Sequence, residues 1–273
     1  RGMAGCPIKL LARKVFVPRR RDARGSASNM ETFAKWCVVV PMANEEPDFA
    51  PFVAALSRSL DDLGGGHVFL VVDGVSVDRT RGLCETLGQT DSRYSLVWSP
   101  QNRNVVDAYL NGFRAALAAG YEWIIEMDAG LSHDPQALPQ FLKGLAAGND
   151  CVFGSRFVPG GSMRGSPFSR IFLSLAGSWA AQVFLGSKLR DVTSGYEGFR
   201  RDVVEKLVAY PLRSKAHFYQ TEVRHLLRDR RWIEVPIIYR APSPRVCQGA
   251  LRNAVETLVH YTGLRVSGRS PRL

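Results

Sequence analysis

The sequence contains no run of about 20 consecutive apolar residues, the length a helix needs to cross a bilayer. Its longest apolar stretch, IFLSLAGSWAAQVFLG at 171–186, has sixteen residues and is broken by Ser174, Ser178 and Gln182. No crossing of a membrane is expected from it. Cysteine is sparse: five residues, at 6, 37, 84, 151 and 247, with no C-x-x-C spacing among them. That pattern argues against a structural zinc site and for a reducing compartment. No G-x-G-x-x-G follows the first apolar run, and no G-x-x-x-x-G-K-[ST] occurs anywhere. Both absences count against a dinucleotide-dependent dehydrogenase and a P-loop ATPase. No secretory leader is recognisable, although the Arg-rich, acid-poor start has the composition of an organellar transit peptide. The chain begins with Arg1, and Met30 is a candidate initiator.

Net charge is nearly absent from the body of the chain, although the whole carries +11. Eight Lys/Arg against Asp22 place +7 within residues 1–29, the last nine residues add +3, and only +1 is left for 30–264. Such basic ends are expected to be solvated tails, with an anionic membrane surface the next reading. No basic face interleaved with aromatics accompanies them, so nucleic acid is not an expected partner.

What is present is a long alternation of two periods. Short β-branched runs, WCVVVP (36–41), HVFLVVD (67–73), YSLVWS (94–99), EWIIEMD (122–128) and DCVFGS (150–155), read as strands. Between them lie helical patterns at 47–60, 81–88 and 104–119, and a helix start at Asp134-Pro135. With 273 residues, 45% of them apolar, the chain can bury one substantial core. Strands alternating with helices predict an α/β fold with a mainly parallel sheet, whose ligands bind beyond the carboxyl ends of the strands. Beyond 156 the pattern changes to a Gly/Pro/Ser-rich loop (158–170), the apolar segment 171–186, a helix around 216–228, and two short strands in WIEVPIIY. Segment 171–186 reads either as a core helix or as an interfacial helix resting on a bilayer.

Polar residues gather at successive strand ends: Asn44 and Glu45, then Asp73, Asp128 and Arg156. A lone acid after a strand is ordinarily a turn former or a helix cap. Four such ends in one sheet instead converge on one crevice.

The segments VVVPMANEE, FLVVDGVSVDRT, WIIEMDAGLSHDP, DCVFGSRFVPGG, RDVTSGYEGFRRDVVEKL and WIEVPIIYR, in this order, resemble family 2 glycosyltransferases of the GT-A type. The likeness is greatest to the dolichyl/polyprenyl-phosphate mannosyltransferases, and it spans about 36–250. The resemblance implies a Rossmann-like, mainly parallel sheet flanked by helices, with a C-terminal helical and β-hairpin region on the acceptor side. It divides the chain into a basic, disordered tail (1–29), one domain (30–256) and a C-terminal basic tail (257–273). Within the domain, a nucleotide-sugar half (about 36–156) precedes an acceptor half (about 157–256). It further implies transfer of a hexose, mannose first, from a nucleotide sugar to a polyprenyl or dolichyl phosphate, with inversion. The place of action would be the cytoplasmic face of a membrane, with peripheral association.

By the same resemblance Pro41, Asn44, Glu45 and Asp73 would bind the nucleotide, and Asp128 the Mg²⁺ or Mn²⁺ on its diphosphate. Arg156, Arg170, Arg200 and Arg240 would hold the acceptor's phosphate, because guanidinium matches phosphate oxygens bidentately. Asp128 and Arg156 are the expected catalytic pair. Two positions depart from the pattern: Gly74 and Gly130 stand where the family has aspartates. For the cation, Asp128 alone can suffice with substrate phosphates and water, or Glu126, Asp134 or His133 can assist. His133 equally suits a structural hydrogen bond, and Glu222 either orients the acceptor or caps a helix. Should the acceptor be a hydroxyl, Asp191 is the candidate base. A nucleotide-sugar-binding protein with weak catalysis is the remaining alternative.

Overall fold

Trp36–Met42 (β1) is buried along almost its whole length on both faces, as a central parallel strand must be. It pairs in parallel with His67–Asp73 (β2), and β2 in turn with Tyr94–Ser99 (β3). On its other side lies Trp123–Glu126 (β4), again parallel. The connections are helices Glu46–Asp62 (α1), Thr80–Thr90 (α2) and Val105–Ala118 (α3). Asn104 starts α3 by accepting hydrogen bonds from the amides of Val106 and Asp107, a regular N-cap. After β4 come a short turn of helix at Pro135–Ala137, Leu138–Ala146 (α4) and Cys151–Ser155 (β5). The expected strands and helices of the first half are therefore all present. This computed structural model describes residues 33–216, 218–240 and 248–273, so the expected tail at 1–29 lies outside the described residues.

The sheet has seven strands in the order β3-β2-β1-β4-β7-β5-β8. One was not foreseen. Glu197–Arg200 (β7) inserts antiparallel between β4 and β5. Its sequence, EGFR, has one apolar residue and one glycine, too little periodicity to announce a strand. Two apolar clusters cover the two faces, one around Phe52, Leu56 and Phe141, the other around Phe113, Phe199 and Tyr219.

The second half adds Ser162–Arg164 (β6), Phe168–Ala180 (α5) and Arg201–Ala209 (α6). It continues with Tyr219–Leu226 (α7), Trp232–Pro236 (β8), Ile238–Arg240 (β9) and Gln248–Val266 (α8). Two expectations are corrected here, and one open alternative is decided. The expected β-hairpin does not form: β8 runs parallel to β5, and β9 parallel to β6. Only Ile237 separates the two strands, so the chain runs on instead of reversing. Segment 171–186 is not a core helix. In α5, which widens into a π-type turn over Ala181–Leu185, only Ser178 among Phe168–Ala180 is buried. The expected tail at 257–273 is the second half of α8 and a packed terminus. Tyr261 is buried and donates to Glu222, and the Arg230 side chain donates to the Leu273 carbonyl.

Candidate functional site

The carboxyl ends of the parallel strands carry one continuous row of contacts. Asp73, buried at the end of β2, accepts the Val75 amide. Asn44, in the left-handed region at φ 57°, accepts the Val77 amide and donates to the Val75 carbonyl, which ties the loop after β1 to the loop after β2. Next to Asn44, Glu45 anchors its amide on Thr80 Oγ1 at 2.8 Å. The Glu45 carboxylate reaches the loop after β4: a Cβ placed on Gly130 would stand 3.0 Å from its Oε2. Asp128, two residues earlier in that loop, lies against Gly195, whose added Cβ would be 3.3 Å from Oδ2. Two residues before Gly195, Thr193 accepts a hydrogen bond from Arg156 at the end of β5. Asp73, Asp128 and Arg156 thus belong to one strip of the sheet's edge. Pro41 is half-buried in β1, below the Asn44 turn.

Asp128 is the open carboxylate of this strip, with its side chain 41% exposed. Tyr109, from α3, donates to Oδ1 at 2.6 Å. Burial, followed by the charge of Asp128, raises the Tyr109 phenol well above its usual range, so it remains a donor. The Asp128 amide donates to Nδ1 of the buried His133 at 3.2 Å. That nitrogen therefore carries no proton, and burial lowers the imidazole further below its usual value. The 3.7 Å approach of His133 Nδ1 to Asp128 Oδ2 is accordingly not an ion pair. His133 shapes the loop, as its structural reading anticipated.

The expected helpers for a cation are elsewhere. Glu126 is fully buried opposite Glu197 across the β4–β7 ladder and accepts the Tyr219 hydroxyl. Burial, and after it the charge of Glu197, raises Glu126 well above its ordinary value, and its place inside the core sets it apart from the exposed Asp128. Glu197 instead takes the Nε of Arg224 at 2.6 Å. Asp134 caps the turn at 135–137 by accepting the Gln136 amide. Burial, and then the charges of Asp48, Asp128 and Asp78, push the Glu45 carboxyl up to about 7.

Arg156 is held by Asp191. Its Nε and Nη2 each donate to one Asp191 oxygen at 2.7 Å, and its amide donates at 2.9 Å. The side chains are 4% and 0% exposed. Nη2 also donates to Thr193 Oγ1, and Nη1 lies 3.5 Å from Ser174 Oγ on α5. Burial alone would raise the Asp191 carboxyl, but the hydrogen bonds and charge of Arg156, with Arg224 behind it, hold it below its usual value. The expectation of a base at Asp191 is thereby corrected: it is buried, ionised and occupied by a cation.

The remaining arginines divide. Arg170 donates to the Tyr239 hydroxyl at 2.9 Å. Arg240 lies on β9 with its side chain 61% exposed, 3.8 Å from Asp134. Arg200 is corrected. It pairs in register with Trp123 at the start of β4, so it sits toward the opposite end of the strands, and it donates to the carbonyls of Asn149 and Leu145. Glu222 is also structural, accepting the amides of Arg213 and Ser214 and the Tyr261 hydroxyl. Tyr109, Thr193 and Arg224 were missed. Thr193 stands inside the quoted RDVTSG segment, which gave it no individual role; nothing in the sequence marks Arg224, which donates to the carbonyls of Asp191 and Ser194.

Among the described residues no group of three or more His, Cys, Asp or Glu is arranged to hold a metal. A cation of the Mg²⁺ type is commonly held by one or two carboxylates plus substrate phosphates and waters. An exposed Asp128 with one oxygen fixed by Tyr109 fits that requirement. Gly74 is tightly enclosed: a Cβ there would meet the Pro100 carbonyl at 2.9 Å.

Comparison with known proteins agrees with this fold. The chain is 29% identical over 257 residues to polyprenol monophosphomannose synthase of Mycolicibacterium smegmatis, covering 93% of this chain and 96% of that one. It is 36% identical over 203 residues to undecaprenyl-phosphate mannosyltransferase of Micrococcus luteus, covering 74% and 82%. Among solved structures it shares its fold with glucosyl-3-phosphoglycerate synthase of Mycobacterium tuberculosis in complex with Mn²⁺, UDP-glucose and phosphoglyceric acid. There the TM-score is 0.62 at 18% identity, over 84% of this chain and 80% of the other. Residues 37–208 match the model of glycosyl transferase family 2, and the chain belongs to that family.

Proposed function

We propose that this glycosyltransferase moves a hexose, mannose in the first instance, from a nucleotide sugar to a polyprenyl or dolichyl phosphate. The sugar carbon is inverted, and the enzyme works at the cytoplasmic face of a membrane to which it binds peripherally. The row of contacts from Asp73 through Asp128 to Arg156, ending beside an exposed apolar helix, carries this reading. The likeness to two mannosyl-transferring relatives supports the substrate class.

The base and ribose would occupy the ends of β1 and β2, against Pro41, Asn44, Glu45 and Asp73. The diphosphate would lie over Asp128, the residue that would hold Mg²⁺ or Mn²⁺. A cation bound there neutralises charge on the departing diphosphate, a Lewis-acid role. Tyr109 fixes Asp128 in advance, so no reorganisation is needed when charge develops. Arg156 is held in place by Asp191 and turns Nη1 toward α5, the side from which a lipid phosphate would arrive. Arg170 and Arg240 stand on the same side and add positive potential. A phosphate acceptor is already anionic and requires no base, only positioning. The engagement of Asp191 and Glu222 by other groups supports this acceptor over a hydroxyl.

The helix Phe168–Leu185 is long and apolar enough to cross a membrane by length and composition. One side of it is fastened to the domain, through Ser178 to Val192 and Gln182 to Leu189. The other side exposes Phe168 (81%), Phe172 and Trp179 (62%), which supports lying in the interface over spanning it. The test is incubation with GDP-mannose, polyprenyl phosphate and Mg²⁺ or Mn²⁺, following GDP release and lipid-linked mannose. Absence of turnover across GDP- and UDP-sugars with polyprenyl phosphates overturns the proposal.

A further inference from the structure

We propose that Glu45 supplies the second carboxylate of the cation site, in the space left by the acid missing at position 130. The proposal rests on the reading that a divalent cation binds at Asp128. Gly130 has a left-handed backbone at φ +68°. A Cβ built there meets no backbone; its nearest neighbours are Glu45 Oε2 at 3.0 Å and Glu45 Cδ at 4.0 Å. The carboxylate of an aspartate at 130 would begin one bond beyond that Cβ, in the volume that Glu45 now fills. One side chain thus occupies the place of the other. Glu45 is carried to this point by a rigid connection: its amide on Thr80 Oγ1 at 2.8 Å, its carbonyl accepting the Asp48 amide.

Among the described residues no donor is hydrogen-bonded to the Glu45 carboxylate, and its charged neighbours are the acids Asp48, Asp78 and Asp128. Among the described residues no Lys or Arg is ion-paired with Glu45, and a cation between Glu45 and Asp128 would offset the negative charge around it. A second observation comes from the opposite wall. Gln220 is buried, and its Nε2 lies against the same face of Gly195 as both Asp128 oxygens. An amide nitrogen is no ligand for Mg²⁺, which takes oxygens, so Glu45 is the group left to join Asp128. Glu45 therefore faces the metal as well as the donor, and the glycine at 130 is the space it needs.

The experiment is Mn²⁺ titration of the ligand-free full chain, read by the electron paramagnetic resonance of free Mn²⁺ and by calorimetry, without sugar or acceptor. Wild type, Glu45→Gln, Asp128→Asn, Gly130→Asp and the pair Glu45→Gln with Gly130→Asp are compared, with melting temperatures to exclude misfolding. Glu45→Gln should weaken Mn²⁺ by at least about tenfold, the scale of losing a group that tunes a metal site. The pair should recover most of that loss, because the aspartate enters the vacated volume. Wild-type binding that is lost in Asp128→Asn but unchanged in Glu45→Gln overturns the proposal and leaves the Asp128 site standing. Absence of Mn²⁺ binding to the wild type overturns both. GDP binding without metal serves as a further arm. If Glu45→Gln weakens only that, the residue serves the nucleotide alone and the proposal is wrong.

Discussion

Replacing Asp191 by alanine tests how the acceptor side is held together. In the native protein the Asp191 carboxylate accepts two bonds from the Arg156 guanidinium at 2.7 Å and one from the Arg156 amide at 2.9 Å. It also accepts the Thr193 amide at 3.1 Å. Deletion leaves a guanidinium with 4% exposure and no counter-charge, together with the buried Arg156 amide and the partly buried Thr193 amide without that acceptor. Breaking a buried pair from one side costs about 3–5 kcal/mol. In a domain of this size each kcal/mol moves the melting temperature by about 2–4 °C, so a fall of roughly 6–20 °C is expected. Changing both residues, Arg156→Met with Asp191→Leu, removes both charges and should restore at least half of the loss, because neither is then buried alone. Wild type, Arg156→Met, Asp191→Leu and the pair form a double-mutant cycle, measured by denaturant unfolding. The carboxyl is held below its ordinary 3.8 in the folded state. Its contribution is therefore fully present above 3.8 and fades only as pH falls through the folded value. A loss under about 1 kcal/mol, or one that is the same with and without Arg156, refutes the reasoning.

Gly74→Ala places a methyl against the Pro100 carbonyl, and backbone cannot yield as a flexible side chain does; overpacking of this kind costs about 1–3 kcal/mol, read as a lower denaturation midpoint at unchanged slope. His225 bonds Ser270 near the C-terminus, and burial, with Arg228 and Arg265, lowers its imidazole from 6.5 to about 4. The unfolded chain then takes up a proton below 6.5 that the folded protein refuses until about 4, so wild-type stability declines across that window. His225→Gln should lack this share of the decline; superimposable stability–pH curves would contradict it. Phe172→Glu with Trp179→Glu changes two exposed positions on α5. A large apolar side chain gains about 1.5–3 kcal/mol on leaving water, so partition onto anionic vesicles should fall at least about tenfold, with the melting temperature little changed. Equal flotation of variant and wild type would remove α5 as the contact.

The parallel half was legible because its signals are local. WCVVVP and HVFLVVD are β-branched runs too short for helices, and Asn104 and Asp134-Pro135 mark helix starts by their own chemistry. The site acids were legible for a related reason: in a parallel sheet the residue after each strand falls on one edge, so Asp73, Asp128 and Arg156 had to be near neighbours. What escaped was long-range. β7 exists because Ile124 and Cys151 both have unpaired edges that Phe199 bridges, a fact of register and not of the segment EGFR. Arg200 looked like a phosphate ligand because charge in a motif carries no direction. The antiparallel run of β7 turns it toward the far end of the sheet. Asp191 looked like a base, and Glu222 like a group orienting the acceptor, until their donors, Arg156 and the 213–214 amides, were located.

The two glycines that depart from the family pattern are alike in one respect. Each lacks a side chain where another part of the molecule fills the space: the Pro100 carbonyl at Gly74, the Glu45 carboxylate at Gly130. A glycine left by loss of function would be expected to leave an unfilled volume or a mobile loop, since nothing would select a replacement contact. A glycine that belongs to a repacked site should instead be intolerant of restoration on its own. The two readings predict opposite signs for Gly130→Asp in the wild-type background. A relic site should gain cation affinity from the added carboxylate. A repacked one should not, because the new group and Glu45 contend for one position and like charges at that distance repel. Tolerance then depends on position 45, which makes the acid at 130 and the acid at 45 alternatives for a single place in the cleft.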